Sequence, residues 1–138
     1  MRYIIGLGNH LRAEDAFGLD VIAKLESLDL KDTVCLSVVQ LTPEFVLDLI
    51  DANEIIFIDA CYSLDNNYAL ACPLSEEKLL GLSHHISYQV LMSMLFHLYN
   101  VKPKLQVYSM LTKNFESFKN SFKYKENVQQ VVNHLLFK

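Results

Sequence analysis

The sequence predicts an α/β protein, a three-layer αβα sandwich with a mostly parallel twisted sheet of about five strands. One observation behind this prediction is that strand-like and helix-like segments alternate along the chain, as they do where helices connect parallel strands. A second observation is that residues 3–7 and 54–58 form short runs that are almost entirely apolar. Such runs, without polar alternation, are typical of central strands that are buried on both faces.

The first half of the chain contains three predicted strands and two predicted helices. Residues 14–28 follow the first strand and have a helical apolar period. The apolar positions of this helix are Phe17, Val21, Leu25 and Leu28. Residues 33–39 are rich in β-formers and predict the second strand. Thr42 and Pro43 predict the start of a second helix, because threonine can cap it and proline suits its first position.

The second half of the chain continues the alternation after the strand at 54–58. Residues 68–72 predict an edge strand or hairpin arm, since they follow an Asp-Asn-Asn turn signal. A strongly apolar helix is predicted over 86–99, and a strand over 104–111. Residues 114–136 are polar at first and then helical. No internal repeat or linker divides the chain, so we expect one domain over 1–138.

Composition and charge restrict the classes of partner. The chain has 138 residues, which is the size of one domain, and 51% of them are apolar. This apolar content is enough for a sizeable core without disulfides or metal ions. The formal net charge is −4. That balance argues against a nucleic-acid partner, because binding to phosphates requires a dominant basic field.

The sequence also predicts the compartment. Its apolar runs are strand-sized, far below the roughly 20 residues that a membrane span requires. The N-terminal residues lack the pattern of a signal peptide. Cys35, Cys61 and Cys72 are odd in number and lack metal-binding spacing, which is typical of reduced thiols. We therefore expect a cytoplasmic monomer with no membrane partner.

Two aspartates are expected to meet at one edge of the predicted sheet. Functional sites of such sheets form outside the carboxyl ends of the strands, where the strand order reverses. In the flavodoxin-like order, the first and third strands flank this switch point. Asp15 lies just beyond the first strand, and Asp59 ends the third. The two residues are distant in sequence, and the fold predicts that they lie side by side.

A histidine can complete a metal site with these aspartates. His84 and His85 precede the most apolar helix. Two carboxylates and one imidazole suit a borderline divalent metal, and three protein ligands leave positions open for water or substrate. Each residue also has a structural interpretation. Asp15, with Glu14, can be a helix-start acid, Asp59 can cap a turn, and the histidines can cap the helix.

Several other kinds of site are not supported. Gly6-Leu7-Gly8-Asn9 suggests a dinucleotide turn, but Leu11 stands where the third glycine would be required. Two glycines in a tight strand-to-loop turn explain the segment better, and we expect no nucleotide cofactor. The sequence contains neither an H-E-x-x-H zinc motif nor a G-x-S-x-G nucleophile elbow. The basic, aromatic segment 113–125 is either a partner surface or a solvated amphipathic stretch.

Residues 6–18 resemble the opening signature of the hydrogenase maturation endopeptidases. The segment reads Gly-Leu-Gly-Asn-His-Leu-Arg-Ala-Glu-Asp-Ala-Phe-Gly. In that signature a G-x-G-N turn is followed by two consecutive acids, a small residue, and a glycine two positions on. The second acid of the pair is the family's metal ligand. The resemblance therefore assigns this role to Asp15 rather than Glu14.

Two further matches support the resemblance. The family's second ligand is the aspartate of a strand-ending Asp-Ala pair, which matches Asp59 and Ala60. Its third ligand is a histidine followed three residues later by a small residue and then an apolar helix. His84 has Ser87 at that distance, whereas His85 would place Tyr88 there. The resemblance therefore favours His84.

The resemblance implies both a fold and an activity. The family fold is the αβα sandwich already predicted from the residues. The implied activity is that of a peptidase, which removes the C-terminal peptide of a nickel-loaded [NiFe]-hydrogenase large-subunit precursor. Nickel carried by the precursor would be the recognition element, with Asp15, Asp59 and His84 as both its ligands and the catalytic set. The chain departs from the family at Gln40 and Leu41, where members commonly have a Gly-Thr pair.

Two alternatives to this function remain. Peptidyl-tRNA hydrolases also open with a strand and Gly-Leu-Gly-Asn, but they continue with Pro-Gly, where this chain has His10 and Leu11. The acidic balance also argues against a tRNA substrate. The second alternative is a metal- or partner-binding homologue that has lost proteolysis. Its metal ligands would be the same, so the sequence does not separate it from a peptidase.

Overall fold

The computed structural model describes residues 1–8, 16–62, 69–75, 85–112 and 121–136. The strands and helices within these residues follow the predicted order. They are β1 Arg2–Leu7, α1 Phe17–Glu26, β2 Thr33–Val38, a 3₁₀ helix Pro43–Leu49, β3 Glu54–Tyr62, β4 Ala69–Ser75, α2 His85–Tyr99, β5 Lys104–Thr112 and α3 Ser121–Leu136.

The described strands form one sheet of five, in the order β2-β1-β3-β5-β4. Four of them are parallel, and β4 pairs antiparallel with β5 at one edge. The predicted class, a mostly parallel sheet with an edge strand near residues 68–72, is confirmed. Because β2 and β3 lie on opposite sides of β1, the strand order reverses at β1, as the sequence predicted.

The sheet is covered on both faces. On β3, Ile55 and Phe57 belong to a core cluster with residues of α2 and the 3₁₀ helix. The alternate residues Ile56 and Ile58 pack with residues of α1 and α3. Successive side chains of a strand point to opposite faces, so burial on both faces requires a continuous apolar run. The αβα layering predicted from the run at 54–58 is therefore confirmed.

Two glycines let α1 approach the sheet at backbone distance. A Cβ atom on Gly18 would lie 2.2 Å from the carbonyl oxygen of Ile58 and 2.6 Å from that of Leu7. A Cβ atom on Gly6 would lie 2.3 Å from the carbonyl oxygen of Gly18. Side chains cannot occupy either position without moving backbone. The beginning of α1 is therefore packed directly against the end of β1 and the middle of β3.

The second predicted helix is present, and it is a 3₁₀ helix. Thr42 precedes it in an extended conformation, with φ −117° and ψ 158°, and makes no capping hydrogen bond through its side chain. Pro43 occupies the start, as predicted. The buried residues of this helix are Val46 and Leu49, which are three positions apart. This spacing fits a helix with three residues per turn, whose side chains repeat on one face at every third position.

Other boundaries differ by a few residues. The helix predicted over 14–28 ends at Glu26, so that Leu28 lies beyond it and is exposed. The third strand extends past the predicted end at residue 58, because β3 remains paired with β5 as far as Tyr62 and Thr112.

None of the three α-helices within the described residues combines the length and the apolar character that a membrane crossing requires.

Candidate functional site

Asp59 lies just beyond the point at which β1 stops pairing with β3. The pairing of β1 with β3 ends at Gly6 and Ile58, and Asp59 is the next residue of β3. On its other side Asp59 pairs with Ser109 of β5. The residue therefore occupies the switch point, although it lies inside a strand rather than at its end. This position at the carboxyl edge is where doubly wound sheets form their sites.

The carboxylate of Asp59 is buried and hydrogen-bonded. Only 1% of the residue is exposed. Its Oδ2 accepts a hydrogen bond from the hydroxyl of Tyr88, and its Oδ1 accepts one from the thiol of Cys61 at 3.6 Å. Burial of a carboxylate is costly unless donors replace the water it loses. These two donors come from α2 and from β3 itself, so the helix and the strand both contribute to the carboxylate's surroundings.

The ring of Tyr88 makes an aromatic contact with β3. Its ring stacks on Phe57, with centroids 4.4 Å apart and planes at 20°. The residue has no exposed surface. Burial raises the pKa of the Tyr88 hydroxyl far above its ordinary value, and the negative charge of Asp59 raises this pKa further. The hydroxyl therefore stays protonated and remains a donor to Asp59.

Cys61 connects this pair to β5. Its thiol accepts a hydrogen bond of 3.2 Å from the hydroxyl of Ser109, which is also fully buried. Ser109, Cys61, Asp59 and Tyr88 thus form a buried polar chain that joins three adjacent elements. The sequence predicted Cys61 only as a reduced thiol, and the structure places it in the core, with 1% of the residue exposed. Its contact with Asp59 was not predicted.

This arrangement can perform two kinds of chemistry. A carboxylate with fixed orientation can coordinate a divalent metal through its oxygens, or it can accept a proton as a general base. Within the described residues, no group of three His, Cys, Asp or Glu side chains is close enough to hold a metal ion. Of the predicted metal set, only Asp59 falls within the described residues.

The other predicted site residues lie outside the described residues. These are Asp15 and His84, so their approach to Asp59 stays a prediction. His85 is the first residue of α2. The first turn of this helix also supplies Tyr88, and His84 directly precedes the helix in sequence. The described segments on either side of Asp15 are β1 and α1, which Gly6 and Gly18 hold together.

Sequence reasoning missed Tyr88 and Ser109 as parts of this site. Tyr88 was used only to decide between the two histidines. A signal was available, because a tyrosine within an apolar helix carries a hydroxyl that usually finds a partner when buried. Ser109 gave a similar signal as a polar residue near the carboxyl end of an apolar strand.

The fold is that of the [NiFe] hydrogenase maturation proteases. By sequence, the chain matches no family model and no curated protein. Solved structures of these proteases superpose on nearly its whole length, and this structural match rather than the low sequence identity shows the shared fold. The fold that the sequence resemblance implied is therefore confirmed.

Three solved structures illustrate the similarity. The [NiFe] hydrogenase maturation protease HycI from Thermococcus kodakarensis is 20% identical, covering 97% of this chain and 88% of its own, with a TM-score of 0.72. The hydrogenase maturating endopeptidase HybD from Escherichia coli is 20% identical, covering 98% and 92%, with a TM-score of 0.75. An endopeptidase from Escherichia coli is 19% identical, covering 99% and 90%, with a TM-score of 0.77.

Proposed function

We propose that this chain is an endopeptidase that removes the C-terminal peptide of a nickel-loaded [NiFe]-hydrogenase large-subunit precursor. The observation that carries the proposal is the position of Asp59, a buried carboxylate at the switch point of the maturation-protease fold. Asp59 is also the residue to which the family resemblance assigns a metal-ligand role, through the strand-ending pair Asp59 and Ala60. The fold and the signature are separate arguments, and they agree on the same residue.

Asp15, Asp59 and His84 together recognise the nickel ion of the precursor. The first and third of these residues are assigned by the signature in residues 6–18 and by the spacing between His84 and Ser87. Nickel belongs to the substrate, and no nucleotide takes part. Two aspartates and a histidine suit such a metal because carboxylate and imidazole are both good ligands for borderline divalent ions. The protein acts as a monomer on its protein substrate.

The same three residues constitute the catalytic set. Their contacts with the nickel ion place the scissile bond beside Asp59. Two routes for attack on the bond are compatible with this set, polarisation of the scissile carbonyl by the metal and activation of a water molecule. The enzyme is thus either a metal-dependent or an aspartic endopeptidase according to which route it uses.

The proposal is tested by incubating the purified protein with nickel-loaded and nickel-free large-subunit precursor. Cleavage of the C-terminal peptide is followed by mass spectrometry of the intact precursor. We expect cleavage of the nickel-loaded form only. Equal cleavage of both forms would contradict nickel recognition. Nickel-dependent binding without cleavage would identify a non-proteolytic homologue instead.

A paired substitution tests the role of Asp59. Asp59→Asn removes the charge but preserves the shape, and we expect it to lower kcat/KM for the nickel-loaded precursor by at least about 100-fold. Asp51→Asn is the matched control, because Asp51 also accepts a tyrosine hydrogen bond but lies before β3, at the opposite end of the sheet. This control should cleave at the wild-type rate. Wild-type activity in Asp59→Asn, with the fold intact by circular dichroism, would remove Asp59 from the site.

A further inference from the structure

Two donors of different origin converge on one carboxylate. The Tyr88 hydroxyl reaches Oδ2 of Asp59 from α2, and the Cys61 thiol reaches Oδ1 from within β3. Each oxygen thus has its own partner, which limits rotation of the carboxylate about its terminal bond. Both of these donors are side chains, and the stronger one is a hydroxyl from another element.

Tyr88 is itself prevented from moving. It stacks on Phe57, which lies two residues before Asp59 on the same face of β3. A tyrosine side chain has only two rotatable bonds before its ring, so stacking and burial together fix the direction of the hydroxyl. Phe57 therefore determines where Tyr88 points, and Tyr88 in turn determines how the Asp59 carboxylate is oriented.

We propose that Tyr88 is a positioning residue, which holds the Asp59 carboxylate in the orientation required to bind the substrate's nickel ion. This inference rests on the proposed function and adds to it a residue outside the signature. Carboxylates that bind metal ions are oriented by hydrogen bonds from a surrounding layer of groups, and loss of such a group typically lowers metal affinity or activity by about 10–100-fold. Tyr88 occupies this role for Asp59, with Cys61 as a second, weaker donor.

The test compares two tyrosines that each donate to an aspartate. Tyr88→Phe removes only the hydroxyl and leaves the ring that stacks on Phe57. Tyr3→Phe is the matched control, because the Tyr3 hydroxyl donates to Asp51 at 2.5 Å, far along β1 from the candidate site. We expect Tyr88→Phe to lower kcat/KM for the nickel-loaded precursor by about 10–100-fold. Tyr3→Phe should leave kcat/KM unchanged.

A spectroscopic readout tests whether the Tyr88 hydroxyl acts on the Asp59 carboxylate itself, and kcat/KM separates positioning from a purely structural role. The side-chain carboxyl carbon of Asp59 is observed by ¹³C NMR and is identified by its loss in Asp59→Asn. This resonance should shift in Tyr88→Phe, shift less in Cys61→Ala, and stay in place in Tyr3→Phe. A purely structural hydrogen bond would lower the stability of Tyr88→Phe but leave its kcat/KM at the wild-type value.

The outcomes keep this inference distinct from the proposed function. Absence of cleavage by the wild-type protein contradicts the proposed function, and the Asp59 resonance then decides whether Tyr88 orients the carboxylate. If the wild-type protein cleaves, wild-type kcat/KM in Tyr88→Phe overturns the positioning role. An Asp59 resonance that is the same in Tyr88→Phe and the wild type overturns it as well.

Discussion

Gly18 shows how a single atom controls the approach of α1 to the sheet. The position is second in the helix, where glycine is ordinarily a cost because it increases the freedom of the unfolded chain. Here the missing side chain permits a backbone contact, since a Cβ atom would lie 2.2 Å from the carbonyl of Ile58. The glycine of the family signature thus has a packing reason that is independent of catalysis.

Gly18→Ala is therefore expected to destabilise the protein. Added atoms in a site without space typically cost about 1–3 kcal/mol, and a backbone neighbour puts this substitution at the upper end. Ala23→Gly, at an exposed position of the same helix, measures the ordinary cost of glycine, about 1 kcal/mol. Both variants are measured by urea denaturation. If helix propensity alone governed position 18, Gly18→Ala would instead raise the free energy of unfolding.

The predictability of the candidate site differs from residue to residue. Asp59 was predicted because its position depends on strand order, which follows from the alternation of elements. Its exact place inside β3 was not, because the length of the strand is determined by pairing with β5 rather than by the run of apolar residues. Tyr88 was missed because its contact requires the rotation of α2 against β3, which sequence spacing does not give.

At the level of elements, α2 shows why the sequence does not predict how this helix is rotated against the sheet. Its apolar residues Val90 and Leu98 are exposed at 48% and 62%. Leu91 and Leu95 of the same helix are buried. The helix has apolar residues of its own around much of its circumference. The sequence therefore predicts a helix here but does not identify its buried face. The helix itself was predicted to within one residue.

The 3₁₀ helix provides a test of its own packing. Leu47 and Leu49 are two residues apart in it, but Leu49 is fully buried and Leu47 is 60% exposed. Leu49→Ala should cost about 2–4 kcal/mol in the free energy of unfolding, because it leaves a cavity. Leu47→Ala should change this energy by less than about 0.5 kcal/mol. Equal losses measured by urea denaturation would contradict the packing of this helix through Leu49.

Across the whole molecule, the two ends of the sheet carry different tyrosine–aspartate pairs. The carboxyl end has Tyr88 and Asp59, and the amino end has Tyr3 and Asp51, which joins β1 to the turn before β3. The hydrogen bond to Asp51, together with partial burial, raises the pKa of Tyr3 to about 12. The second pair therefore links stability to pH in the alkaline range.

Stability should fall as the pH rises through this range. The unfolded chain loses the Tyr3 proton near pH 10, whereas the folded protein retains it until about pH 12. Unfolding releases a proton in that window, so the contribution of Tyr3 is complete below about pH 10 and is lost toward pH 12. The difference in unfolding free energy between the wild type and Tyr3→Phe should shrink over this interval. A difference that stays constant from pH 8 to pH 12 would show that Tyr3 has no such linkage.

The fold as a whole was more predictable than the site. Element order and layering depend on many residues, and an error at one residue does not change them. A contact between two side chains depends on how each helix is rotated against the sheet, and the apolar pattern of the sequence does not specify that rotation. This is why Ile55 and Phe57 could be placed in a buried strand, whereas the partners of Asp59 required the structure.

The backbone contact at Gly18 also determines when the site can form during folding. The unit of β1, α1 and β2 is continuous in sequence, so its loops close at low entropic cost. The contact of Gly18 with Ile58, however, needs β3, which docks on the other side of β1 from a more distant part of the chain. The edge that carries Asp59 is therefore completed only when β3 docks, and a chain folded only as far as β2 lacks Asp59 and its partners.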